Sequence, residues 1–173
     1  HEAKLLLVGQ GRVGKTSLLR RLTDGSFSNA ESTTHGINVR SRQISLPNSE
    51  QSVRLNLWDF GGQEIMHNTH QFFLTRRSLY LVVLNSREDA HANRLFYWLK
   101  LIGNIADAPI IVVINQIDQN PAFTLDEREL RYHYPNIVAF ARTNCEAFTC
   151  DDQAGFGSLE TKIAQAINNH LPH

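Results

Sequence analysis

The chain is poor in the residues that staple or interrupt small folds: among 173 residues it has two cysteines, one methionine and five prolines. Cys145 and Cys150 lie close enough to close one small loop, but a single loop cannot hold a domain. The scarcity of thiols points to a reducing compartment, and the expected location is cytoplasmic. Net charge is also missing. Seventeen basic side chains balance seventeen acidic ones, so no global field draws the chain to nucleic acid or to an anionic membrane. No apolar run approaches the roughly 18 residues of a membrane span. The start carries neither a methionine nor a signal-peptide pattern. Because a strand pattern follows His1 almost at once, residues 1–173 read as one domain excised from a longer multidomain chain. What is present is 42% hydrophobic and 20% charged, the balance of a globular domain able to bury a sizeable core.

The hydrophobic pattern alternates between strand and helix. Lys4 to Val8 (KLLLV) reads as a buried strand, and Lys15 to Asp24 as a helix presenting Leu18, Leu19 and Leu22 on one face. Gly25 to Gly36 is polar and reads as a loop. Ile37 to Leu46 and Val53 to Trp58 alternate apolar and polar residues, and PNSEQS between them supplies the turn of an antiparallel hairpin. Leu79 to Leu84 and Pro109 to Ile114 are unbroken apolar runs, the mark of strands covered on both faces. Leu95, Trp98, Leu99, Ile102 and Ile105 make one helix face. A short helix near Leu125 to Tyr132, a strand from Ile137 to Ala141 and a helix from Ser158 to His170 complete the chain. The order β-α-β-β-α-β-α-β-α-β-α predicts an α/β domain with a mostly parallel sheet and helices on both faces.

Three stretches carry chemistry. GQGRVGKTS, Gly9 to Ser17, fits G-x-x-x-x-G-K-[ST] between a predicted strand and a predicted helix, the context of a P-loop. Glycines there let backbone N–H groups of Gln10, Gly11, Arg12, Val13 and Gly14 turn toward phosphate oxygens, and the helix start adds partial positive charge. Lys15 would reach the β- and γ-phosphates, and the Thr16 hydroxyl would ligate Mg²⁺. In NLWDFGGQE, Asp59 ends a strand where it can accept from a Mg²⁺-bound water, Gly62 frees a backbone N–H for the γ-phosphate, and Gln63 can orient the attacking water. In VVINQID, Asn115 and Asp118 fall at the carboxyl end of another strand, the edge where open α/β sheets bind ligands. A carboxylate at Asp118 accepts from both guanine N1–H and N2–H, donors that adenine lacks.

Taken together, these motifs resemble those of a Ras-like small GTPase, a P-loop NTPase with a six-stranded mostly parallel sheet. WDFGGQE followed by IMHNTHQFFLTRRSLYLVVLNSRE is similar to the Roc domain of Roco proteins. The resemblance implies binding of GTP and GDP with Mg²⁺ and slow hydrolysis, weak in the isolated domain because no arginine is placed as a finger in cis. It also implies a COR domain following in the full chain, leucine-rich repeats before it and homodimerisation there. Thr34 in STTHGIN occupies the switch-I threonine position, which implies contact with Mg²⁺ and the γ-phosphate. Gln63 matches the water-orienting glutamine.

Two departures stand out. Gln116 replaces the lysine of N-K-x-D, and Asn144, Cys145 and Glu146 stand where S-A-K is usual, with the Cys145 N–H still able to meet the guanine O6. Both remove an alkyl stem from the base plane, so micromolar rather than nanomolar nucleotide affinity is expected. His67 and His70 share a helix face but have no carboxylate or cysteine at ligand spacing, and a metal site there is not expected. Phe96, Tyr97 and Leu101 fall off the core stripe of their helix and are either scattered surface apolars or a contact for a further domain. Two readings of the whole remain: a GTP hydrolase, or a regulatory nucleotide-binding module with negligible hydrolysis. An ATPase of similar topology is the third, and Asn115 and Asp118 argue against it.

Overall fold

The computed structural model describes residues 1–11, 13–24, 37–60, 78–105, 107–144 and 156–171. Strands β1 (Glu2–Val8), β2 (Ile37–Ser45), β3 (Ser52–Phe60), β4 (Ser78–Asn85), β5 (Ile110–Asn115) and β6 (Ile137–Arg142) form one sheet in the order β2-β3-β1-β4-β5-β6. Only β2 is antiparallel to its neighbour; every other pairing is parallel. The helices are α1 (Lys15–Asp24), α2 (Leu95–Ile105), α3 (Glu127–His133) and α4 (Phe156–His170), with a 3₁₀ turn at Ile117–Gln119.

The unbroken apolar runs divide by residue parity. Leu5 and Leu7 of β1, Leu79, Leu81 and Val83 of β4, and Ile111 and Val113 of β5 face one core, under α1 and α4. Leu6 and Val8, Tyr80, Val82 and Leu84, and Ile110, Val112 and Ile114 face the other, under α2 and α3. A strand buried on both faces needs apolar side chains at every position, which is why these segments carry no alternation. β3 is covered fully on one face only: Val53, Leu55 and Leu57 are buried while Arg54 is exposed.

Most predicted boundaries hold within two residues, and the shifts have local causes. Leu46 leaves the β2 ladder because its N–H turns to the Gln51 carbonyl across the hairpin. β3 extends past Trp58, since Asp59 pairs with Leu7 and Phe60 with Ile37. α3 starts at Glu127 because the Asp126 carboxylate caps the Glu129 N–H at 3.0 Å. The helix expected between β3 and β4 lies outside the described residues.

The topology puts β1 at the reversal of strand order: the chain leaves β1 for β2 and β3 on one side, then crosses to β4 on the other. The carboxyl ends of β1, β3, β4, β5 and β6 consequently meet along one edge of the sheet. Loops opening from that edge carry the sequence motifs.

Candidate functional site

The turn from β1 into α1 is shaped by two glycines. Gly9 has φ +153°, and a Cβ on it would lie 2.4 Å from the Val83 carbonyl oxygen of β4. Gly14 has φ +87°, and a Cβ there would lie 2.4 Å from Asn115 Nδ2. Both backbone shape and lack of space exclude a side chain at these two positions. Gly11 is different, since a Cβ would meet nothing within 4 Å.

Lys15, the first residue of α1, is 7% exposed and folds back over the loop. Its ammonium donates to the Gly9 carbonyl at 3.0 Å and to the Gln10 carbonyl at 2.9 Å. Burial pushes its pKa below the ordinary 10.5, and the carboxylate of Asp59 pulls it part of the way back. Thr16 Oγ1 donates to Asp59 Oδ2 at 2.8 Å, across 43 residues of chain. Asp59 is fully buried beside the P-loop because β3 pairs directly with β1, Leu7 opposite Asp59. Thr16 and Asp59 thus present hard oxygen donors of the kind Mg²⁺ takes. Among the described residues no three His, Cys, Asp or Glu side chains come together.

At the end of β5, Asn115 is fully buried and joins three segments. Its Nδ2 donates to the Val13 carbonyl at 2.9 Å, and its Oδ1 accepts from the Thr143 hydroxyl at 2.9 Å. Asn115 therefore works as a bolt between the P-loop and the loop after β6, while Asp118, three residues on, is exposed and turned outward. Gln116 between them adopts the left-handed conformation, φ 56° and ψ 38°, and its carbonyl accepts from the Ser86 hydroxyl. Gln116 Oε1 and Gln10 Nε2 are buried atoms without a hydrogen-bond partner among the described residues, polar groups of opposite character next to the phosphate loop.

Val13 is buried, Ser17 and Asn144 are partly buried, and all three stand at this edge. Arg12, Thr34, Gly62, Gln63 and Cys145 lie outside the described residues, as do His67 and His70. Sequence reasoning missed Thr143, Ser86 and Asn93. Asn93 accepts from the Asn85 N–H at 2.8 Å and donates to the carbonyls of Asn85, Glu88 and Asp89, bracing the loop after β4. Position directly beyond a strand end could have flagged Thr143 and Ser86, whereas Asn93, just ahead of α2, carried no such signal. On α2, Phe96 is 50% exposed, whereas Tyr97 packs edge-on to Trp98 and carries the Arg94 guanidinium over its ring.

Comparison with known proteins gives the family and the fold. The family described as Ras of Complex, Roc, domain of DAPkinase matches residues 4–118. A Roc-COR-CHAT protease from Runella zeae is 32% identical over 97% of the chain, and the probable serine/threonine-protein kinase pats1 of Dictyostelium discoideum is 30% identical over 98%. The chain spans only 19% and 6% of those relatives' own lengths. The solved structure of Methanosarcina barkeri Roco2 RocCORdC bound to GDP superposes with a TM-score of 0.79 at 44% identity, covering 94% of this chain and 47% of that one. Family match, identity and the P-loop sheet agree: the chain belongs to the Roc family, with a Ras-like GTPase fold.

Proposed function

We propose that this domain binds GTP and GDP with Mg²⁺ and hydrolyses GTP slowly, its nucleotide state acting as a conformational signal to adjoining domains. The observation that carries the reading is the Lys15–Thr16–Asp59 group at the mouth of β1, its lysine and aspartate buried, with Asn115 and Asp118 on the same sheet edge. The backbone from Gly9 to Gly14 would cradle the phosphates, and Lys15 would neutralise the β- and γ-oxygens when it leaves the Gly9 and Gln10 carbonyls. Thr16 and Asp59, with Thr34, would hold Mg²⁺, directly or through water; the ion supplies charge neutralisation across the phosphates. Asp118 would accept from the guanine edge, while Asn115, bonded to the Val13 carbonyl and the Thr143 hydroxyl, would hold the P-loop and the loop after β6 around the base. Gly62 and Gln63 would sense the γ-phosphate and orient water, and the Asn144 and Cys145 backbone would meet the guanine O6. Because the named relatives include Roc-COR and RocCOR proteins, a COR domain is the natural recipient of the signal.

Single-turnover hydrolysis by the wild type and Gln63→Leu tests the reading, with GDP and ATP titrations alongside. Slow wild-type turnover, a loss of at least about tenfold in the variant, and GDP binding that ATP does not displace are expected. Turnover equal to the buffer rate in both proteins would leave only the regulatory module, and displacement by ATP would remove the guanine assignment.

A further inference from the structure

Away from the nucleotide edge, β2, β3, the end of α1 and α4 enclose a cavity of about 330 Å³. It shares no lining residue with the P-loop or the base loops. Its floor is apolar: Leu22 of α1, Leu55 of β3, and Ile163 and Ala164 of α4 line it, and the first three are each 2% exposed. Its rim carries one charge of each sign. Arg42 of β2 donates through Nη1 to the Leu22 carbonyl and to Glu160 Oε1, the latter at 2.7 Å. A guanidinium is a fork of donors, and among the described residues Nε and Nη2 of Arg42 have no acceptor; Oε2 of Glu160 likewise has no donor. The two side chains are 30% and 45% exposed, so both remain open to approach.

We propose that this cavity binds a small zwitterion with an apolar body, namely a free α-amino acid with a large aliphatic or aromatic side chain. Charge selects the class. A lone carboxylate that reached Arg42 would face Glu160, and a lone ammonium that reached Glu160 would face Arg42, so each carries a like-charge penalty. A zwitterion gives its carboxylate to the unused arm of the guanidinium fork and its ammonium to Glu160 Oε2, satisfying both at once. Its side chain then covers Leu22, Leu55 and Ile163 in place of water. The volume falls at the lower end of the ~300–1,000 Å³ typical of small-molecule sites, which suits a single residue such as leucine or phenylalanine.

The test is a ¹H–¹⁵N NMR titration of the chain with L-phenylalanine, run beside 3-phenylpropanoate, which lacks the ammonium, and 2-phenylethylamine, which lacks the carboxylate. Saturable shifts at the amides of Leu22, Arg42 and Ile163 are expected with L-phenylalanine, and at least about tenfold weaker binding of either analogue, equivalent to roughly 1.4 kcal/mol. Arg42→Gln and Glu160→Gln should each weaken binding about tenfold. Ala164→Leu, which fills the floor and keeps both charges, should abolish binding while GDP affinity and circular dichroism stay as in the wild type. No saturable shift up to about 10 mM, or equal binding of all three compounds, overturns the proposal. The comparison of the three compounds needs only the wild type, so it decides the matter even where a variant fails to fold.

Discussion

At the residue scale, the three glycines of the P-loop do different work. Gly9 and Gly14 are demanded by the fold itself, because β4 and Asn115 fill the space where a Cβ would go. Gly11 is not: a Cβ there would meet nothing within 4 Å, so packing does not require a glycine, and the proposed approach of phosphate to this backbone is what a side chain would disturb. Gly14→Ala should therefore destabilise the nucleotide-free chain by at least about 2 kcal/mol, from left-handed strain plus the clash with Asn115. Gly11→Ala should shift stability by less than about 0.5 kcal/mol, yet weaken GDP binding at least about tenfold. Urea denaturation and calorimetric titration of both variants check this. A Gly11 variant that bound GDP normally would show that phosphates do not approach there. Asn115 and Asp118 divide in the same way: Asn115 is buried and holds two loops together, whereas the carboxylate of Asp118 is exposed.

At the element scale, periodicity was the most legible feature. Runs without alternation became strands buried on both faces, and alternating runs became the half-covered hairpin, because burial on one face or two dictates how many positions must be apolar. α3, expected near Leu125 to Tyr132 and found at Glu127–His133, rests on little burial. Only Leu130 of this helix is buried, and a capping Asp126, acidic Glu127 and Glu129 at the start and basic Arg131 and His133 at the end support it. α2 is the opposite case, anchored by Leu95, Trp98 and Leu99, none of them exposed. Trp98 Nε1 is buried without a hydrogen-bond partner among the described residues. Trp98→Phe loses ring area but also removes that orphaned donor, so its net cost should not exceed about 1.5 kcal/mol, against about 2–5 kcal/mol for Leu99→Ala. Urea denaturation of both variants decides; a Trp98→Phe cost equal to or above that of Leu99→Ala would mean the indole N–H is satisfied in solution.

At the scale of the whole molecule, one buried cation should be visible in global stability. Lys15 carries a pKa lowered from 10.5 by burial. Below the lowered value both folded and unfolded chains hold the proton, and the cost of burying the charge is borne in full. Between that value and 10.5 the unfolded chain binds the proton and the folded chain has released it, so stability rises with pH and then levels off. Nucleotide-free Lys15→Met should lack this rise. Urea unfolding of both proteins at about pH 7 and about pH 10 measures it, and parallel pH slopes would show that Lys15 is not desolvated in solution. Lys4, whose pKa burial also lowers, is common to both proteins and cancels in the comparison.

The sequence by itself determined the α/β class, the parallel character of the sheet, the P-loop and the two accessory motifs, because each rests on local spacing: parity along a strand, glycines in a turn, a carboxylate at a strand end. Tertiary structure alone decided the strand order that sets β3 against β1 and so brings Asp59 to Thr16 across 43 residues. It alone assigned Asn115 to Val13 and Thr143, and closed a cavity between Arg42 and Glu160, 118 residues apart. Contacts of that range follow from which faces can be buried together, and no window of the chain contains both partners.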